Sequence, residues 1–208
     1  RLTCTISLPQ DKCLCGTRLD LLNGTEPVAF DGVLELAPAE SCVVVLGASS
    51  EIEPANRTDT STCATLALNI NHPWTVTLSP AGGDGTFGEP QKLEGLCDLT
   101  AELFAGTCGT YRYHTSFELA DNLADTAIDL GDVYETATLT LDGRPLGTRI
   151  CPPYRFAAGP LTVGTHELTI DVINTLDHVI PDIFTLTEPI APSGILGPVT
   201  LRGQNLPK

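Results

Sequence analysis

Tyr111-Arg-Tyr-His-Thr-Ser-Phe-Glu-Leu119 sets Tyr111, Tyr113, Phe117 and Leu119 at odd positions and Arg112, His114, Ser116 and Glu118 at even ones. Successive side chains of an extended chain point to opposite faces, so one face of this segment is core and the other is wet. The same period of two runs through Trp74, Val76 and Leu78 against Thr75, Thr77 and Ser79. It recurs in Ala137, Leu139 and Leu141 against Thr136, Thr138 and Thr140, and in Leu168, Ile170 and Val172 against Glu167, Thr169 and Asp171. These are half-buried antiparallel strands. Asp142-Gly143 follows one of them directly and suits a turn at positive φ.

Helical periodicity is nearly absent. Leu93, Leu96, Leu99 and Leu103 come closest, but Gly95 interrupts them, so at most a short helix is expected there. With 19 Gly and 16 Pro punctuating short strands, the pattern predicts an all-β antiparallel fold closed as a sandwich or jelly roll, with a short preceding β segment. Residues 49–62 carry almost no apolar side chain and mark a boundary, giving a β segment over 1–58 and a sandwich over 59–208. In the first, Val33-Leu-Glu-Leu36 and Cys42-Val-Val-Val-Leu46 read as two strands around Ala37-Pro-Ala-Glu-Ser41. So small a core is marginal alone, so this segment is expected to pack on the sandwich or on an upstream domain.

Composition narrows the partners. Eleven basic against 26 acidic residues give a net charge of −15, which repels phosphate backbones and anionic membranes. Neither nucleic acid nor membrane is an expected partner. The apolar run Cys42-Val-Val-Val-Leu46 is far too short to span a bilayer. The chain holds no methionine and opens at Arg1, which suggests a piece excised from a longer protein. Of eight cysteines, most are expected as free thiols, with Cys4, Cys13 and Cys15 the best placed to pair.

Residues 66–202 resemble the galactose-binding-like jelly-roll module of glycoside hydrolase families 2 and 106. The resemblance rests on Trp74-Thr-Val76, Gly109-Thr-Tyr-Arg-Tyr113, Ile128-Asp-Leu-Gly-Asp-Val133, Leu141-Asp-Gly-Arg-Pro-Leu-Gly147, Pro152-Pro-Tyr154, residues 164–174 and Ser193-Gly-Ile-Leu-Gly-Pro-Val199, in that order. Residues 30–45 are similar to the short β region before this module in rhamnosidase-like enzymes. One departure stands out: where the family commonly has tryptophan before Pro152, this chain has Cys151, which removes a flat surface for a sugar ring.

The resemblance implies carbohydrate chemistry in the parent protein, with the catalytic acids in a barrel domain whose alternating strand and helix pattern this chain lacks. The expected role is a non-catalytic module of the distal part of a glycoside hydrolase, supporting its catalytic domain and contacting carbohydrate. An independent lectin-like module and a purely structural docking module stay open as alternatives. Its partners are carbohydrate or the catalytic domain of that enzyme, and its location, secreted or cell-surface, follows the enzyme.

Candidate carbohydrate contacts are Trp74, Arg149, Tyr154 and Arg155, because a sugar needs an aromatic face and charged donors for its hydroxyls. Alternation favours core for Trp74. No catalytic constellation is evident, since the acids lie on polar faces and in loops, and no nucleophile elbow or phosphate loop occurs. No cofactor is expected beyond a structural calcium, for which Asp121, Asp125 and Asp177 are the candidate ligands. Asn23-Gly-Thr25 and Asn56-Arg-Thr58 match the glycosylation acceptor pattern and are read as coincidence.

Overall fold

The computed structural model describes residues 2–5, 16–19, 27–30, 32–36, 41–46, 65–71, 73–180, 187 and 189–205. The two acceptor asparagines, Cys13, Cys15 and the side chain of Cys4 lie outside the described residues. The chain divides into two compact units, Arg1–Thr62 and Cys63–Lys208.

The first unit holds β1 (Leu2–Thr5), β2 (Gly16–Leu19), β3 (Val28–Phe30), β4 (Val33–Leu36) and β5 (Val43–Leu46). The two strands legible in the sequence are β4 and β5, but they are not bonded to each other. Antiparallel β4 pairs with β1, and β5 pairs with β2 in a sheet ordered β3-β2-β5. Phe30 and Leu34 are buried here.

The second unit is the sandwich. Its strands are β6 (Thr65–Asn69), β7 (Trp74–Pro80), β8 (Gln91–Leu93), β9 (Gly109–Leu119), β10 (Leu123–Asp129) and β11 (Asp132–Tyr134). There follow β12 (Thr136–Leu141), β13 (Arg144–Arg149), β14 (Arg155–Leu161), β15 (Gly164–Ile173), β16 (Gly194–Gly197) and β17 (Thr200–Asn205). Six strands form one sheet, β13-β12-β15-β9-β7-β8, four form another, β14-β10-β17-β6, and β11 pairs with β16. All described pairings are antiparallel. The only described α-helix is α1 (Leu99–Glu102), capped by the Asp98 carboxylate, which accepts from Thr100 N at 3.1 Å.

Register turns the alternation into a core. Leu139, Ile170, Tyr113 and Val76 stand opposite one another across four strands, and all four are essentially sealed from water. The facing sheet contributes Leu123, Ile128, Phe156, Ala158 and Leu201 to the same apolar cluster. Every inward residue expected on β9, β12 and β15 is buried, while Arg112, His114, Ser116 and Glu118 are exposed. At the turn after β12, Asp142 and Gly143 take φ of 51° and 76°, as the dipeptide implied.

One margin of the sandwich is clasped by arginines. Strand β14 is the edge of its sheet, leaving carbonyls that need donors. Arg149 Nε of β13 donates to Arg155 O at 3.1 Å, and Arg144 Nη2 donates to Ala158 O at 2.5 Å. The Arg149 guanidinium also lies 5.0 Å from the Phe156 ring centroid.

Candidate functional site

At the opposite margins, where β6 and β8 are the edges, three connections meet. After β6 the chain passes Ile70, whose N–H donates to Val199 O at 2.9 Å, and Asn71 before Pro73 leads into β7. Thr115 Oγ1 fixes that entry by donating to Pro73 O at 3.0 Å. Trp74, the first residue of β7, is 3% exposed and meets Tyr113 edge to face at 6.3 Å. It stands opposite Leu93 of β8, from which Glu94-Gly95-Leu96 leads toward α1.

Between these segments opens a cleft of about 560 Å³. Ile70, Trp74, Leu93, Leu96 and Pro198 supply its apolar lining, and the exposed Asn71, Lys92 and Glu94 supply polar groups. A second hollow of about 420 Å³ shares the strip from Lys92 to Leu96 and reaches Cys97 and Glu102. Burial raises the Cys97 thiol pKa, and Glu102 adds to the effect, so this sulfur is held in its unreactive form. Cys42, Cys97, Cys108 and Cys151 are all free thiols.

The residues nominated from sequence do not gather in one place. Trp74 borders the cleft, whereas Tyr154 is 2% exposed, and its hydroxyl donates to Glu135 O. Burial and the nearby Glu135 push that phenol up to about 12. Arg149 is 5% exposed in the clasp, so neither it nor Tyr154 presents a face to solvent. Arg155 is exposed and paired with Asp129 at 2.9 Å. For calcium, no group of three or more His, Cys, Asp or Glu side chains converges among the described residues. Asp125 sits at φ 48° beside a register shift of β10, and Asp177 accepts from Thr175 Oγ1 within the turn Leu176–His178.

Two constellations of catalytic-looking side chains are bound into the scaffold. Ser193 Oγ lies 2.9 Å from His178 Nε2 and accepts from Asn174 Nδ2 at 2.9 Å. That same imidazole nitrogen lies 2.9 Å from Ala191 O, an acceptor only, so it carries the proton and cannot take one from the serine. Ser193 is completely buried, and its N–H donates to Asp98 Oδ1 at 3.0 Å. Next to it Gly194, at φ 97°, packs so closely that an added Cβ would lie 2.1 Å from the Tyr113 hydroxyl. That hydroxyl accepts from Ile195 N at 3.0 Å. No sequence pattern joins these residues; they are brought together by the β15–β16 connection.

The second constellation is His166, stacked on Phe117 at 5.5 Å between Asp142 Oδ2 at 2.7 Å and Thr162 O at 2.8 Å. Burial works to lower its pKa, but the bonds to Asp142 and Thr162 overcome it and hold the imidazole above its ordinary value. Asp142 moves the other way: burial opposes the shift, while His166 and the Glu167 N–H draw the carboxyl below the usual range.

No known family profile matches the chain, and no curated protein matches it in sequence. Among solved structures it is similar to the rhamnosidase from Novosphingobium sp. PP1Y, with a TM-score of 0.56 and 22% identity over 90% of this chain and 19% of that one. It is also similar to the β-glucuronidase from Ruminococcus gnavus in complex with D-glucaro 1,5-lactone, with a TM-score of 0.52 and 12% identity over 67% of this chain and 29% of that one. The chain therefore spans less than a third of either neighbour, and at these identities the likeness is one of fold. Its β-sandwich recurs within larger glycoside hydrolases. Among the described residues no helix is long and apolar enough to cross a membrane.

Proposed function

We propose that this chain is a non-catalytic β-sandwich module of a larger, rhamnosidase-like glycoside hydrolase, supporting its catalytic part and contacting carbohydrate. The observation that carries this reading is the likeness of 90% of the chain to 19% of a rhamnosidase chain. Acid and base chemistry adds support. A glycosidase needs a general acid whose pKa is raised, with a second carboxylate across the scissile bond. The described carboxyls with displaced values, Asp84, Asp98 and Asp142, all move downward. For Asp84 the Thr86 N–H is the main cause, and for Asp98 the Ser193 and Thr100 N–H groups outweigh burial. Ionised acceptors of this kind hold loops and do not deliver protons. The test is turnover of aryl rhamnosides, galactosides and glucuronides by the isolated chain. No hydrolysis above the blank is expected; robust turnover abolished by a single carboxylate substitution would overturn the reading.

A further inference from the structure

We infer that the cleft beside β8 is a binding site for a neutral saccharide, with the indole N–H of Trp74 as its fixed donor. Trp74 is nearly sealed, yet no acceptor for its N–H is found among the described residues. No buried side-chain nitrogen or oxygen is left without a partner either, so the indole nitrogen reaches solvent. Trp74 borders the cleft. A tryptophan held edge to face by Tyr113 in the wall of a cleft, its N–H unpartnered among the described residues, is a preorganised donor for an acceptor oxygen there.

The rest of the lining narrows the ligand. A volume of about 560 Å³ falls in the range of small-molecule sites, from about 300 to 1,000 Å³. Lys92 donates, Glu94 accepts and the Asn71 amide does both, while Leu93, Leu96 and Pro198 offer apolar surface. One cation and one anion cancel, which disfavours an ion and favours a ligand rich in neutral hydroxyls that give and take hydrogen bonds over an apolar ring face. The net charge of −15 further disfavours polyanions. The choice of a saccharide within this class rests on the glycoside hydrolase reading.

Trp74 is the sole tryptophan, so intrinsic fluorescence reports on this cleft directly. The whole chain would be titrated with rhamnose, galactose, their disaccharides and glucuronate, following Trp emission and heat together. A saturable emission change with a neutral sugar is expected. Lys92→Ala and Glu94→Ala, both at exposed positions, should each weaken it by about tenfold, the scale of one hydrogen bond to a charged group. Arg155→Ala, outside the cleft lining, should leave it unchanged. Heat without an emission change and lost in Arg155→Ala, binding of glucuronate alone, or no binding at millimolar sugar would each overturn the cleft assignment. Turnover decides the module reading separately, so failure of one is distinguishable from failure of the other.

Discussion

His166 shows how one side chain can couple a turn to pH. Its two ring nitrogens face a carboxylate and a carbonyl, and both can be satisfied as donors only when the ring is protonated. The folded pKa therefore lies above the ordinary imidazole value of 6.5, and the stabilisation is fully present below that pH. It is lost as pH rises through the folded value. Asp142 behaves oppositely, its contribution being present above 3.8 and lost as pH falls through its depressed value. The pair thus stabilises most between 3.8 and 6.5. Denaturant unfolding of His166→Gln and the parent across this range should show a stability gap that narrows on the alkaline side; a gap independent of pH would contradict the assignment. Gly194 presents a steric case. Gly194→Ala must dislodge the Tyr113 hydroxyl while adopting a φ of 97°, and a loss of about 3 kcal/mol is expected in the same assay.

At the scale of elements, strands with a clean period of two were legible, and those that depend on tertiary pairing were not. β9, β12 and β15 declare their inward residues because each is covered on one face along its whole length. Strand β13 gives no such signal. It contains Pro145, Gly147 and a register shift, and Arg149 is buried where it donates to Arg155 O of β14. A charged side chain in that position reads as a surface contact, so the sequence presents Arg149 as a sugar-binding candidate. The cleft was illegible for a related reason, since its lining comes from three connections far apart in the chain, at residues 70–74, 92–96 and 198–199, of which only Trp74 stands out in the sequence. Arg149→Ala should cost about 1–2 kcal/mol by unpairing the partly buried carbonyls of Arg155 and Thr148. Arg149→Lys should recover only part of this, because an ammonium lacks the planar fork that serves Arg155 O and Thr148 O together. Thermal melts of both variants check this, and equal stability in Lys and Ala would argue against the clasp.

For the whole molecule, the described apolar cluster of the sandwich runs from Ile70 to Leu201, within the second unit. A chain of residues 63–208 should therefore keep a single cooperative unfolding transition, measured by calorimetry. A broad, non-cooperative melt of that piece would show that its core depends on residues 1–62. The arginine clasp has a mechanical consequence for the same unit. The two sheets are bound along the β13 and β14 margins like pages at a spine, and they part at the fore-edge, where the cleft lies. Thermal opening should start at that fore-edge. Amide exchange is then expected to be faster in β6 and β8 than in β12 and β14, and a saccharide seated on Trp74 should slow it there first.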